Sequence, residues 1–107
     1  MNIYKLLKYS VIIFTFCLGS LLAATGGKIA GYVTAGETGE PVPGANIIVE
    51  GTTMGVASDI NGYYAILNVP PGVYNLKVSY IGYKQVTIRN VEVRIDLTTD
   101  VNIELTT

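Results

Sequence analysis

Residues that could perform acid–base, nucleophilic or metal chemistry are scarce in this sequence. The 107-residue chain has no histidine and one cysteine, Cys17, so the commonest general bases, nucleophiles and transition-metal ligands are almost entirely missing. Carboxylate pairs remain, but Glu37 and Glu40 lie in a loop rich in proline and glycine, Asp96 and Asp100 flank two threonines, and nothing in the sequence indicates a buried site for either pair. We therefore predict no catalytic residue, no metal site and no cofactor, and we expect that the protein is not an enzyme.

The string Asp59-Ile60-Asn61-Gly62 is similar to the start of a calcium-binding loop. Oxygen-bearing side chains at alternate positions before a glycine begin an EF-hand loop. Here Tyr63, Tyr64 and Ala65 follow in place of further ligands. The string is therefore interpreted as a tight turn, in which asparagine and glycine tolerate a positive φ.

Tyrosine supplies the best candidates for binding. Alternation along the predicted strands places Tyr74 and Tyr80 inside and leaves Tyr32 and Tyr63 on the surface. Exposed tyrosines can contact a sugar or a peptide through their rings. The alternative is that tyrosine is present only because it favours β-strands. Tyr32 and Tyr63 are the predicted contact residues for a ligand or a partner.

The charge pattern argues against nucleic acid as a partner. The net charge is −1 at pH 7, and Lys5 and Lys8 both lie near the amino terminus. The rest of the chain is therefore more acidic than the whole, and its field does not attract phosphates.

Residues 1–24 have the three zones of a signal peptide. Two lysines precede an apolar run over residues 9–22, and Ala23-Ala24 provides a small-residue exit. The rival interpretations are a retained membrane anchor and, through Cys17, a lipid anchor. We expect cleavage, export through the inner membrane, and no stable membrane span afterwards. Residues 25–107 then form one domain.

Downstream of Lys28 the chain alternates runs rich in Val, Ile and Tyr with turn residues, which predicts an all-β sandwich of about seven strands. The clearest strand covers residues 72–81, with Tyr74, Leu76, Val78 and Tyr80 on one face. Asn61-Gly62 predicts a hairpin between residues 54–58 and 63–69. Pro70-Pro71-Gly72 predicts a second hairpin with a type II turn. Residues 37–44, rich in proline and glycine, are predicted to form a loop from the first strand to the second.

Several strings together resemble one known family. They are Gly31-Tyr32-Val33, Thr38-Gly39-Glu40-Pro41-Val42-Pro43-Gly44-Ala45-Asn46-Ile47, Gly51-Thr52-Thr53, Ser58-Asp59-Ile60-Asn61-Gly62-Tyr63-Tyr64, Val69-Pro70-Pro71-Gly72-Val73-Tyr74 and Tyr80-Ile81-Gly82-Tyr83. In this order they closely resemble the carboxypeptidase regulatory-like domain. The resemblance implies a seven-stranded Greek-key β-sandwich of the transthyretin (prealbumin) type. The signal peptide helix predicted from residues 1–24 would precede it.

The leader followed directly by this domain is similar to the N-terminal extension of SusC-like TonB-dependent outer-membrane receptors. Such receptors continue into a plug domain and a β-barrel, so we expect transport itself to lie outside these residues. The resemblance implies a non-enzymatic interaction module in the periplasm or at the outer membrane or cell surface, with envelope proteins of a receptor system as partners. The alternative is a free-standing carbohydrate-binding or adhesion module of the cell envelope.

Overall fold

The computed structural model describes residues 26–107, which form two β-sheets packed face to face and contain no helix. The eight strands are β1 (Gly27–Ala35), β2 (Asn46–Val49), β3 (Gly55–Ala57), β4 (Tyr63–Val69), β5 (Gly72–Ser79), β6 (Val86–Val93), β7 (Thr98–Asp100) and β8 (Ile103–Leu105). The predicted all-β sandwich is confirmed. The predicted signal peptide and its helix, residues 1–24, lie outside the described residues.

The first sheet is built around β1. Strand β4 pairs antiparallel with one side of β1, and β7 and β8 pair parallel with the other. Strands β7 and β8 follow the same side of β1 and are separated by Val101 and Asn102. At this break the Asn102 side chain replaces a backbone acceptor, because its Oδ1 accepts a hydrogen bond from Tyr32 N at 3.0 Å. The predicted count of seven is reached when β7 and β8 are taken as one interrupted strand.

The second sheet has the strand order β3-β2-β5-β6, and all its pairs are antiparallel. A β-bulge interrupts the β5–β6 ladder, where Asn75 faces both Arg89 and Asn90. Asn90 adopts a φ of 59°, and its N–H donates to Asn75 Oδ1 at 3.2 Å. Asparagine tolerates this left-handed conformation better than most residues.

The core lies between the two sheets and follows the predicted alternation in most strands. Leu76 and Val78 of β5 are completely buried, as are Ile29 and Val33 of β1. In strand β2, Ile48 faces solvent while its neighbours on both sides are buried. The remaining core residues with no exposed surface are Ala45, Ile47, Val49, Val69 and Leu105.

The predicted hairpin across Asn61-Gly62 is wrong, although the turn itself is present. Gly62 has a φ of 78°, and its N–H donates to Asp59 O at 2.9 Å. However, β3 pairs with β2 and β4 pairs with β1, so this turn carries the chain from one sheet to the other. Turn residues specify a local reversal, whereas strand pairing depends on which apolar faces the rest of the fold must cover.

The second predicted hairpin, at Pro70-Pro71-Gly72, is also wrong. Strands β4 and β5 lie in different sheets. Gly72 does not take the positive φ that a type II turn requires, because it already belongs to β5 and pairs with Val93. A side-chain hydrogen bond stabilises this connection between the two sheets instead, because Tyr74 Oη donates to Pro70 O at 2.6 Å.

The loop between β1 and β2 is present, as predicted from its prolines and glycines, and it carries the chain from the first sheet to the second. A buried serine, Ser58, which the sequence analysis did not identify, fixes this loop through two hydrogen bonds. Ser58 Oγ donates to Val42 O at 2.6 Å and accepts from Ala45 N at 2.9 Å. The hydroxyl therefore satisfies two backbone groups of this loop that would otherwise be buried without partners.

Candidate interaction surface

Tyr32 and Tyr63, the two predicted contact residues, are brought together on the solvent face of the first sheet. They are directly opposite each other in the β1–β4 ladder. Their ring centroids lie 5.4 Å apart with planes tilted by 59°, a favourable geometry for an aromatic pair. Tyr32 is 51% exposed, so its ring can contact another molecule.

An open groove lies beside this pair, on the β8 side of Tyr32. It is lined by Tyr32, Thr34, Asn102, Ile103 and Glu104. Because Asn102 Oδ1 bonds the backbone of β1, its Nδ2 group is left as the donor, while the Glu104 carboxylate supplies acceptors. An aromatic ring next to an amide donor and a carboxylate suits either sugar hydroxyls or a peptide backbone.

Asp59 holds the turn that leads into Tyr63. Its Oδ1 accepts hydrogen bonds from Asn61 N at 2.9 Å and from Tyr63 N at 3.0 Å. The predicted turn is confirmed, and the carboxylate serves as its cap. Within residues 26–107, no three acidic or other ligating side chains come close enough together to hold a metal ion.

Tyr64 lies on the core face, beneath the Tyr32–Tyr63 pair, and connects the strands on the two sides of β1. Its hydroxyl donates to Val101 O at 2.6 Å, and its side chain is almost completely buried. Burial, together with the nearby Asp100 carboxylate, raises the pKa of Tyr64 well above the usual range of a phenol. The hydroxyl therefore remains a neutral donor at physiological pH.

Gly31 makes this connection possible. It lies opposite Tyr64 in the ladder, and a Cβ at position 31 would overlap Val101 O. The absence of a side chain lets the Val101 backbone approach β1, where Val101 N donates to Ala30 O at 2.8 Å. Gly31 and Tyr64 thus set the position of the strand pair that forms the groove.

A second aromatic pair lies in the loop between β5 and β6. The ring centroids of Tyr80 and Tyr83 are 5.9 Å apart, and Ile81 between them is 94% exposed. The prediction that Tyr80 faces the core is wrong, because β5 ends at Ser79 and the alternation ends with it. Tyr80 is 39% exposed.

Sequence reasoning missed Ala65 and Leu67 of β4 as surface-forming residues. Both lie on the same face as Tyr63, since side chains alternate along a strand. The signal in the sequence is that residues 63–69 contain no charge.

In the part of the chain that the structure describes, no helix is long and apolar enough to cross a membrane.

Comparison with known proteins identifies the family. A family model of the carboxypeptidase regulatory-like domain matches residues 28–106. The chain belongs to this family. The match covers every strand except the first residue of β1, and it agrees with the motifs that indicated the resemblance.

Relatives of this domain include TonB-dependent receptors. TonB-dependent receptor P3 of Formosa agariphila is 38% identical over 79 residues, which is 74% of this chain and 8% of the receptor. Receptor P39 of the same organism is 46% identical over 65 residues, 59% of this chain and 6% of the receptor. SusC of Bacteroides thetaiotaomicron is 43% identical over 47 residues, 44% of this chain and 4% of the receptor. The chain spans a small fraction of their length.

Solved structures share the sandwich. A chain of a type II cohesin–X–dockerin complex of Acetivibrio cellulolyticus aligns with a TM-score of 0.64 and 25% identity, covering 75% of this chain and 57% of that one. The Bacillus anthracis TIE protein aligns with a TM-score of 0.61 and 22% identity, covering 78% of this chain and 17% of that one. At 22% identity, the similarity to the TIE protein supports the fold and nothing further.

Proposed function

We propose that this domain is a non-enzymatic protein-interaction module of the bacterial envelope, exported by its leader and acting within or beside a TonB-dependent receptor of a nutrient-uptake system. The family match over residues 28–106, together with relatives that are TonB-dependent receptors, carries this proposal. Because the domain corresponds to less than a tenth of receptor P3, its contribution is assigned to contact with other proteins rather than to transport.

The surface chemistry supports binding rather than catalysis. Tyr32, Leu67 and Ile81 expose large apolar side chains, and aromatic residues are enriched at protein interfaces. The cohesin–X–dockerin structure adds support of a different kind, since it is a complex between protein modules and contains a chain with the same fold.

Affinity capture tests the proposal. The chain, immobilised through a tag, is incubated with a detergent-solubilised envelope extract from the cells that express it, grown on several nutrients. An unrelated β-sandwich with the same tag and similar net charge is the control bait. We expect a TonB-dependent receptor, or a protein of its system, to be enriched about tenfold over the control. Recovery of no envelope protein on any nutrient would contradict the proposal.

The Tyr32–Tyr63 pair and its groove favour carbohydrate binding as a second candidate function. A ring at 51% exposure beside Asn102 and Glu104 can stack on a sugar while the polar groups bond its hydroxyls. Glycan arrays probed with Tyr32→Ala, Tyr63→Ala and the wild type test this function. Tyr80→Ala is the matched control because it removes one ring of the other exposed tyrosine pair.

If the glycan hypothesis holds, Tyr32→Ala and Tyr63→Ala lose binding to a specific glycan while melting cooperatively, and Tyr80→Ala keeps it. Absence of glycan binding by the wild type, or equal binding by all variants, would exclude this site as the carbohydrate platform.

A further inference from the structure

Among residues 26–107, strand β4 is an edge strand, and its stretch from Tyr63 to Leu67 carries fewer protecting features than the other edges. Its one irregularity is a bulge at the far end, where Lys28 faces both Leu67 and Asn68 and Asn68 has a φ of 56°. The second sheet ends at β3, which has three residues, and at β6, which carries Arg89, Glu92 and a bulge at Asn90. The other end of the first sheet is the interrupted pair β7 and β8, with Asp100 and Glu104. Short length, charges and bulges are the usual means by which proteins prevent unwanted strand pairing at an edge.

Strand β4 is uncharged, and it is longer than β3, β7 or β8. It spans seven residues, Tyr63–Val69, without a charged side chain or a proline. Among residues 26–107 its only pairing partner is β1. A long, uncharged edge of this kind is a template for another strand.

The ladder determines which backbone groups of β4 are free. Val33 N donates to Gly62 O at 2.8 Å, so alternation directs the N–H and C=O groups of Tyr64 and Ile66 toward β1. The groups of the residues between them point to the opposite side.

Two residues of β4 present these outward groups. The N–H and C=O of Ala65 and the N–H of Leu67 point away from β1, and within residues 26–107 no backbone hydrogen bond outside the β1–β4 ladder reaches them. The corresponding groups of Tyr63 are already bonded to Asp59, which ends the free stretch on that side.

The order large, small, large of the residues on the solvent face of β4 defines a notch at Ala65. Tyr63, Ala65 and Leu67 share this face, and the small Ala65 lies between two large neighbours. A residue of an added strand opposite Ala65 would bring its Cβ within about 5.5 Å. The notch therefore accepts one large apolar side chain.

We propose that the outer edge of β4, centred on Ala65 and Leu67, is the binding site for an extended segment of a partner protein, which adds to the first sheet as a further strand. The segment is uncharged along the pairing stretch and carries an apolar side chain opposite Ala65. Backbone hydrogen bonds supply affinity in this mode, and the notch supplies selectivity. This inference rests on the proposed function as an interaction module and names its surface.

A second copy of this chain is a poorer occupant. Two β4 strands could pair about a two-fold axis, but the free stretch of each is bounded by Asp59 and by the register shift near Gly27. In addition, the leader holds Lys5 and Lys8, so residues 26–107 carry a net charge of −3 against −1 for the chain, and two copies repel each other. An extended segment has neither constraint.

The test repeats the envelope capture with variants of the edge. Ala65→Pro removes the outward N–H and leaves the β1 ladder intact, since proline is tolerated where an edge N–H faces solvent; Leu67→Lys places a charge on the edge. The matched controls are Ala65→Ser, which keeps the N–H, and Val73→Lys, which changes an exposed valine opposite Glu92 on an interior strand. Amide exchange at Ala65 and Leu67 is then compared in the free and bound chain.

We expect Ala65→Pro and Leu67→Lys to reduce capture at least about tenfold, both controls to retain it, and exchange at Ala65 and Leu67 to slow on binding. If Ala65→Pro does not fold, Leu67→Lys and the exchange data decide. Equal capture by all variants would overturn the edge site while the proposed function stands. Capture of nothing by the wild type would overturn both. A dimer in sedimentation that Leu67→Lys dissociates would show that a second copy occupies the edge, which also overturns the proposal.

Discussion

The hydroxyl of Tyr64 and the carbonyl oxygen of Val101, 37 positions apart in the chain, are joined by a 2.6 Å hydrogen bond. The bond passes over Gly31 and links β4 to the break between β7 and β8. It thereby fixes β4 on one side of β1 and the β7–β8 segment on the other, next to the Tyr32–Tyr63 pair.

Removal of this hydroxyl should destabilise the sandwich. In Tyr64→Phe the Val101 carbonyl loses its side-chain donor in a part-buried setting, and a lost bond of this kind costs about 1–3 kcal/mol. Urea unfolding followed by circular dichroism measures the free energy of unfolding. Tyr63→Phe is the control, because it removes a phenolic hydroxyl from the adjacent, more exposed position. Equal stability of the two variants would mean that the Tyr64 bond contributes nothing.

Stability should fall in strongly alkaline solution because of Tyr64. Its pKa in the folded protein is raised by burial and by Asp100, whereas in the unfolded chain it is near 10. Above about pH 10 the folded state therefore binds more protons than the unfolded state, so the free energy of unfolding decreases as pH rises. Below that pH the contribution is fully present. Urea unfolding midpoints are measured from about pH 8 to about pH 11, across the range in which a free phenol titrates. They should drop more steeply for the wild type than for Tyr64→Phe. Parallel curves would show that Tyr64 is not the cause of the alkaline loss of stability.

Substitution of Gly31 should be costly for steric reasons. A Cβ at this position overlaps Val101 O, so Gly31→Ala must displace the backbone between β7 and β8 or force β1 away from it. Overpacking of this kind costs about 1–3 kcal/mol. Gly36→Ala is the control, since its Cβ would meet its nearest atom, Leu105 O, only at 3.4 Å. Thermal unfolding should separate the two variants, and similar melting temperatures would contradict the steric argument.

Loss of the Ser58 hydroxyl should loosen the loop between β1 and β2. Ser58→Ala leaves Val42 O and Ala45 N without their buried partner, at a cost of about 1–3 kcal/mol. Thr53→Ala, at an exposed position in the turn between β2 and β3, is the control. Hydrogen exchange at Ala45 should accelerate in Ser58→Ala alone. Unchanged exchange there would show that the serine is not what holds the loop.

Much of the fold was predictable from local patterns. Period-two alternation identified Leu76 and Val78 as core residues, and the positive-φ glycine at position 62 marked a real turn. The surface position of Tyr32 and Tyr63 also followed from alternation. The predictions failed where a strand ended earlier than its apolar pattern suggested, as at Tyr80.

The amino-acid sequence by itself determined the all-β class, the family, the turn at Asn61-Gly62, and the lack of histidine and of a cysteine in the domain. Only the tertiary structure decided which strands pair, because Asn61-Gly62 and Pro70-Pro71 reverse the chain equally well within a sheet or between two sheets. It also decided that, among residues 26–107, β4 pairs with β1 alone and that Tyr64 reaches Val101. Both depend on hydrogen bonds between segments far apart in the chain, and local residue preferences carry no information about those partners.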